Sequence, residues 1–274
     1  MAAPPSDTQV ETAKVHSFRP VGDDAFVLGV TLSGPIAPLT AGRFYMLRRN
    51  DDLSPAIPRP FSVYRKGETG AVEFLIKTFG KGTKALAATR VGEEVSLIGP
   101  LGNGWPAWQA DGTAKWFVGG GIGSAPFYMA IEQALTAGVP ADQITFVYGG
   151  RSKGFLYDLD LFRALGVKVV AATDDGSEGF HGNVVQACEH MLEGHSGPVQ
   201  IYTCGPDPMM KAVVAFARRN DFESWISLET YMGCGVGICN GCAVGTEADG
   251  PLGDWPVAKC CVDGPVFSAA AVQF

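Results

Sequence analysis

The stretch Cys234-Gly235-Val236-Gly237-Ile238-Cys239-Asn240-Gly241-Cys242, answered further on by Lys259-Cys260-Cys261, organises the reading of this chain. Its cysteines run C-x4-C-x2-C, with a further cysteine pair eighteen residues on. That spacing suits a [2Fe-2S] core: a short loop brings three thiolates to one edge of the cluster, and a distant segment supplies the fourth. Glycines at 233, 235, 237 and 241 let the loop turn tightly. Backbone amides freed by such a turn can point at the cluster sulfides and stabilise their negative charge. Zinc is less favoured, because zinc knuckles pair C-x2-C units and one such unit stands here alone. Disulfides fit worse still. Residues 1–7 are small and polar rather than a charged run followed by an apolar one, so no secretory signal is read there. Seven cysteines in an apparently intracellular chain point to a metal site. Spacing alone leaves Cys260 and Cys261 as equal candidates for the fourth ligand.

The whole chain sets bounds around that loop. Its 274 residues suffice for two ordinary domains and a small module. With 46% hydrophobic and 18% charged residues it reads as globular. No apolar run reaches the length of a membrane span, so the expectation is a soluble, cytoplasmic protein. A formal charge of −7 argues against nucleic-acid binding, which needs a concentrated basic face. Thirty-six glycines imply many tight turns and loops that approach phosphates closely.

Upstream of the cysteines, residues 113–225 alternate strands of continuous apolar character with helices. The strands are expected at 115–118, 144–148, 167–172, 199–204 and 225–228, and the helices at 124–136, 156–165, 183–192 and 208–219. Such alternation predicts a parallel sheet covered on both faces, with ligands at the carboxyl ends of its strands. Gly119-Gly120-Gly121-Ile122-Gly123-Ser124-Ala125-Pro126 follows the first strand and opens a helix, the context of a dinucleotide phosphate loop. Cys204-Gly205-Pro206 ends a later strand, which puts Cys204 over the same crevice; its plainer reading is a buried small residue. Arg151 and Lys153 would welcome the 2′-phosphate of NADP, whereas Asp174 and Asp175 would repel it, so the residues leave NAD against NADP open.

The first hundred residues have a different period. Short strands rich in Val, Phe, Tyr and Thr are expected at 10–18, 25–32, 42–47, 60–64, 71–78 and 93–98, with one helix from about Thr83. This is the pattern of a small antiparallel barrel. Arg59-Pro60-Phe61-Ser62 opens a strand with a cation, an aromatic and a hydroxyl. Gly80-Lys81-Gly82-Thr83 precedes the helix and makes an anion site suited to pyrophosphate. Residues 105–112, with Pro and Gly and no apolar period, read as a linker; Arg43, Arg48 and Arg49 flank a strand, where a solvated edge is favoured over a phosphate contact. The four histidines are scattered without a metal or catalytic pattern.

Taken together, these motifs resemble the ferredoxin reductase superfamily. Arg59-Pro60-Phe61-Ser62 is similar to its R-x-[YF]-S flavin motif, in which the Arg meets the FAD pyrophosphate and the Ser lies near flavin N5. Phe61 keeps the apolar face where many members have Tyr. The resemblance implies FAD contacts at Arg59, Pro60, Phe61, Ser62, Val63, Ile76, Lys77, Gly80, Gly82 and Thr83. G-G-G-I-G-x-A-P at 119–126, Y-G-G-R-S at 148–152, T-D-D-G-S at 173–177 and C-G-P-x-x-M at 204–209 are similar to the pyridine-nucleotide half. There the implied contacts are Gly119, Gly120, Gly121, Ile122, Gly123, Asp174, Gly205 and Pro206, with Cys204 as the catalytic candidate beside the nicotinamide.

The most specific likeness is in the tail. Cys261-Val262-Asp263-Gly264-Pro265-Val266-Phe267 resembles the ending of the electron-transfer subunits of type B dihydroorotate dehydrogenases, and the likeness implies Cys261 as the fourth ligand after Cys234, Cys239 and Cys242. It further implies three parts: an FAD-binding β-barrel over 8–108, an NAD-binding α/β domain over 113–225 and a [2Fe-2S] module over 226–274. Electrons would pass between NAD and an FMN-containing dihydroorotate-oxidising partner through FAD and the cluster, in pyrimidine biosynthesis, within a complex holding two copies of each subunit. The alternative is a reductase subunit feeding a different flavoprotein, ferredoxin or sulfur-metabolising partner. The Gly250-Pro251-Leu252-Gly253-Asp254-Trp255-Pro256 insertion departs from the resembled tail and reads as decoration.

Overall fold

The structure, a computed structural model, describes residues 7–34, 39–51, 55–67 and 70–274. Of the N-terminal stretch 1–7 only Asp7 lies among them. Seven strands come first: β1 Gln9–Val21, β2 Ala25–Thr31, β3 Phe44–Arg49, β4 Arg59–Ser62, β5 Arg65–Lys66, β6 Ala71–Lys77 and, after helix α1 Lys81–Ala87, β7 Glu94–Leu101. They pair antiparallel in the order β4-β3-β7-β1-β2-β6-β5. The two edge strands, β4 and β5, are joined by Val63 and Tyr64 alone. Two residues span only about 7 Å, so the sheet curls until its edges approach, which makes the expected barrel. Val15, Leu28, Tyr45, Phe74 and Leu97 are among the side chains that fill it. β5 went unpredicted because two residues carry no period.

A second sheet follows. β8 Ala114–Gly120, α2 Phe127–Thr136, β9 Ile144–Gly150, α3 Leu159–Arg163, β10 Lys168–Thr173, β11 Phe180–His181, α4 Val184–Leu192, β12 Val199–Cys204, α5 Asp207–Arg219 and β13 Glu223–Ser227 give parallel strands in the order β11-β10-β9-β8-β12-β13. The chain runs outward from β8 to one side, then returns to lay β12 on the other. The crevice between the carboxyl ends of β8 and β12 is where such a sheet binds ligands.

The tail comprises β14 Ala243–Thr246, β15 Val257–Lys259, β16 Val266–Ser268 and β17 Val272–Gln273. Three of these make a small sheet in the order β15-β14-β17, which carries the 250–256 insertion in the turn between β14 and β15. β16 does something else: it pairs antiparallel with β13, Phe267 opposite Ile226, as the seventh strand of the nucleotide sheet. Asn103, just beyond β7, clasps the same run: its side chain donates to the Asp263 and Val266 carbonyls and accepts the Val266 amide. The Asp263-to-Phe267 stretch therefore ties the barrel, the second sheet and the cysteine loop together.

The structure corrects several expectations. The helix expected from 124 begins at Phe127, because Gly121–Ser124 form a 3-10 turn and Pro126 has no amide for an α ladder. The helix expected at 156–165 shortens to α3, since 153–155 take a 3-10 turn and Asp158 adopts a φ of 53°. Residues 105–112 are no loose linker: Trp105 is buried and stacks on Phe127, and Trp108 packs on Tyr202. Arg43 is buried too, with both terminal nitrogens on Asp7 and one also on the Pro100 carbonyl. That pairing holds the Asp7 carboxyl below its usual range, the Arg43 hydrogen bond being the largest cause.

Candidate functional site

Three groups of residues can carry chemistry, and the fold sets them side by side. The first lines a cavity of about 350 Å3 over the β8–β12 crevice. The glycine loop, the Gly205-Pro206 turn and Asp174 border it, and β6 of the barrel adds Lys77. The glycines have distinct reasons. Gly121 has a φ of +53° and open space around it, as a loop that turns beneath a ligand requires. A Cβ on Gly123 would lie 2.3 Å from the Cys204 carbonyl oxygen, so this residue permits the two turns to touch. Of the expected residues, Gly120, Gly121, Ile122, Asp174, Gly205, Pro206 and Lys77 meet here.

Cys204 lies behind that lining rather than in it. It is buried at the end of β12, opposite Gly119, and burial followed by the nearby Glu229 charge pushes its thiol pKa up. It is thus a small neutral side chain at neutral pH. Glu229, which carries no motif, faces the cavity just past β13 and keeps access to solvent there; its carboxyl pKa is raised, first by partial desolvation and then by the Asp207 charge. Arg151, Phe155, Tyr157, Asn183 and Met209 also line the cavity. Of these, the sequence points to Arg151 and, as the last position of C-G-P-x-x-M, to Met209; Phe155, Tyr157 and Asn183 carry no motif, and their place follows from the sheet order. None of the four histidines is among the lining residues.

The second group sits on the barrel edge. β4 pairs with β3, Arg59 opposite Leu47 and Ser62 opposite Phe44. The Arg59 side chain lies against the first turn of α1, where a Cβ on Gly82 would stand 3.2 Å from its Cγ. The expected loop 80–83 is itself that first turn: Gly80 is the cap, and buried Thr83 accepts the Phe79 and Gly80 amides on its hydroxyl. A guanidinium beside a helix start, with Phe79 exposed next to it, suits a dinucleotide's pyrophosphate and an aromatic base. Val63 and Ile76, two of the expected flavin contacts, are completely buried in the barrel.

The third group is the cysteine loop. Among the described residues, no three or more His, Cys, Asp or Glu side chains converge on one ion position. The cysteines form two pairs instead: the Cys239 amide donates to Cys234 Sγ at 3.5 Å, and Cys242 Sγ and Cys261 Sγ lie 3.2 Å apart. Two pairs suit a core of two irons with four thiolates. Burial raises the Cys234 thiol, but donated amides from Cys239, Val236 and Ile238 outweigh it and bring the pKa to about 7. Cys242 falls to about 6, chiefly because Cys261 hydrogen-bonds to it, and Cys261 rises for the same reason. Cys260 turns the other way: fully buried, its sulfur donates to the Leu228 carbonyl, and its pKa is pushed up to about 12 by burial.

The loop touches the barrel. A Cβ on Gly235 would stand 2.5 Å from Met46 Cγ, and Met46 lies on β3 opposite Pro60 of the Arg59–Ser62 strand. Phe44, Met46 and Leu101 of the barrel, Ile226 of the second sheet, and Cys242, Cys260 and Phe267 of the tail share one apolar core. On the outer side, Cys239 is exposed between Tyr231 at 95% and Ile238 at 80% exposure.

Known proteins match two of these parts and the chain as a whole. Residues 229–273 match the family model described as the iron-sulfur cluster binding domain of dihydroorotate dehydrogenase B, and residues 117–215 match the oxidoreductase NAD-binding domain. The dihydroorotate dehydrogenase B (NAD(+)) electron transfer subunit of Lysinibacillus sphaericus strain C3-41 is 34% identical over 267 residues, 96% of this chain and 98% of that protein. Its counterpart in Desulforamulus reducens is 33% identical over 261 residues, 95% of this chain and 97% of that protein. Among solved structures, a chain of the NADH-dependent reduced ferredoxin-NADP oxidoreductase, studied for flavin-based electron bifurcation, superposes with a TM-score of 0.82 at 26% identity, covering 95% of this chain and 89% of that one.

Proposed function

The chain belongs to the family of dihydroorotate dehydrogenase B electron transfer subunits, and from that premise we propose that it carries electrons between NAD and a dihydroorotate-oxidising FMN subunit by way of FAD and a [2Fe-2S] cluster. The observation that carries this reading is the contact of Gly235 on Met46, which seats the cysteine loop against the strand that pairs with Arg59–Ser62. FAD and a [2Fe-2S] cluster held there would supply two-electron hydride chemistry and single-electron transfer respectively.

The chain's own residues bind, orient and shield. Cys234, Cys239, Cys242 and Cys261 hold the cluster, and residues 226–274 form its module. Residues 8–108 would hold FAD, with Arg59 and the first turn of α1 as donors for its pyrophosphate and Ser62 as a hydroxyl for its ring. Residues 113–225 hold NAD, the glycine loop approaching its phosphates and Asp174 the adenosine ribose. Cys204 is small and uncharged behind the Gly205-Pro206 turn, so it leaves the nicotinamide room and offers no competing nucleophile. No helix among the described residues is long and apolar enough to cross a membrane. Exposed Tyr231, Ile238 and Cys239 form the face presented to the partner, in a complex with two copies of each subunit. Exposure of the loop would allow the short approach that electron tunnelling to a partner needs.

The likeness to a ferredoxin-NADP oxidoreductase chain supports a second reading, in which the same cofactors serve a ferredoxin or another flavoprotein. Co-purification of the natively expressed chain separates them. Flavin and [2Fe-2S] absorbance, together with an FMN subunit that oxidises dihydroorotate with NAD⁺, is the expected result. Both cofactors with a partner that ignores dihydroorotate would favour the second reading; a colourless chain would end both.

A further inference from the structure

The turn between β1 and β2 reaches across to the nucleotide sheet and ends in a carboxylate, Asp24, shared by the two halves. One oxygen of Asp24 accepts the Tyr157 hydroxyl, and the other lies 3.1 Å from Lys77 Nζ. Tyr157 in turn donates its amide at 2.8 Å to the Tyr148 hydroxyl. That hydroxyl is fully enclosed, 3.1 Å from the Gly121 carbonyl and 2.9 Å from Ser124 Oγ in the glycine loop. The approach is close throughout: the Asp23 amide donates to the Gly154 carbonyl, and a Cβ on Gly22 would stand 2.3 Å from that same oxygen. Lys77 Nζ stands 5.3 Å from the Phe155 ring centroid and the Arg151 guanidinium 5.1 Å from it, and all three residues line the cavity.

The geometry points to Asp24 as a positioning residue for dinucleotide binding. It fixes Lys77 at the cavity wall from the barrel side, and through Tyr157 and Tyr148 it braces the glycine loop from behind, so that cation and loop meet the anionic dinucleotide in one register. The assignment rests on the proposed function. A free lysine side chain has many rotamers, and ordering it on binding costs affinity; a carboxylate that holds the ammonium beforehand removes part of that cost. Asp24 is suited to the task because it can keep both partners at once, as an acceptor from a hydroxyl and from an ammonium.

The test is a double-mutant cycle on the flavin- and cluster-loaded protein, read as the Kd of NAD⁺ by calorimetry with the melting temperature alongside. Asp24→Asn retains an oxygen for the Tyr157 hydroxyl but removes the negative charge that faces the Lys77 ammonium. It is expected to weaken NAD⁺ binding about fivefold with an unchanged melting temperature. Lys77→Gln is expected to weaken binding at least as much, and the double variant to be no worse than Lys77→Gln alone, the mark of residues acting through one another. An unchanged Kd in Asp24→Asn, or effects that multiply in the double variant, overturns the assignment. If the wild-type protein itself fails to bind NAD⁺, the proposed function falls and the assignment with it.

Discussion

The cavity and the cysteine loop treat the same side chain in opposite ways. Cys204 is enclosed by β12, burial drives its thiol pKa up, and nothing donates to it strongly enough to compensate. Cys234 is also penalised by burial, yet the Cys239, Val236 and Ile238 amides and the Cys239 thiol turned toward its sulfur reverse the sign and bring it to about 7. Both thiols pay for burial, and loop shape decides the outcome. Gly235 and Gly237, both at positive φ, bend the chain so that amides converge, whereas β12 spends its amides on neighbouring strands. The contrast suits the two tasks: hydride exchange needs a dry wall without a nucleophile, and iron needs thiolates.

The largest effect to expect separates two adjacent cysteines. Cys261→Ser should abolish the cluster's visible absorbance and paramagnetic signal while the flavin stays, and Cys260→Ala should keep both, since its sulfur faces Leu228. Loss of the cluster from Cys260→Ala instead would erase the distinction between them.

On the cavity side, Gly123→Val drives a side chain into the Cys204 carbonyl. Flavin reduction by NADH should slow by about a hundredfold, as small misplacements near a reacting centre do. Cluster content should be unchanged, and a fall in both would mean that the two regions are not separable.

Alkylation sharpens the comparison directly. In iron-stripped protein, Cys234 should react with iodoacetamide with a half-point near pH 7, where its lowered pKa lies, and Cys204 should stay unreacted across the neutral range. Equal reactivity would show that the amides do not do what their directions imply.

The smallest effect concerns Glu229. Its raised pKa keeps it neutral to higher pH than an ordinary carboxylate, so dinucleotide binding should weaken as pH rises and it ionises beside an anionic ligand. Glu229→Gln should flatten that dependence and strengthen binding at the alkaline end by about twofold. A slope that survives the substitution must come from another group.

Legibility differed between the regions for a physical reason. The C-x4-C-x2-C spacing and the glycine loop announce themselves because one short segment supplies most of the geometry, and the alternation of period announces the two sheets. Glu229, Tyr157 and Asn183 carry no such signal; they reach the cavity because β9, β11 and β13 share one sheet with β8 and β12. Arg43 looked like an edge cation because its partner Asp7 lies 36 residues away. Residues 105–112 looked like a linker because the aromatic faces that bury Trp105 and Trp108 belong to α2 and β12. Thr83 looked like part of an anion loop, but its hydroxyl closes the helix start.

By itself the sequence determined the kinds of parts: thiolates spaced for two irons, a glycine turn for phosphates, a barrel and a parallel sheet, each set by local spacing and period. Only the tertiary structure decided how they are joined. Choice between Cys260 and Cys261 depends on which sulfur faces Cys242 and which faces Leu228, and adjacent residues on a chain point apart only relative to what surrounds them. The seating of the loop on Met46, the docking of β16 on β13 and the clasp of Asn103 are all contacts between distant segments. Their energies arise from packing and from hydrogen bonds made across the fold, and no spacing along the chain encodes those.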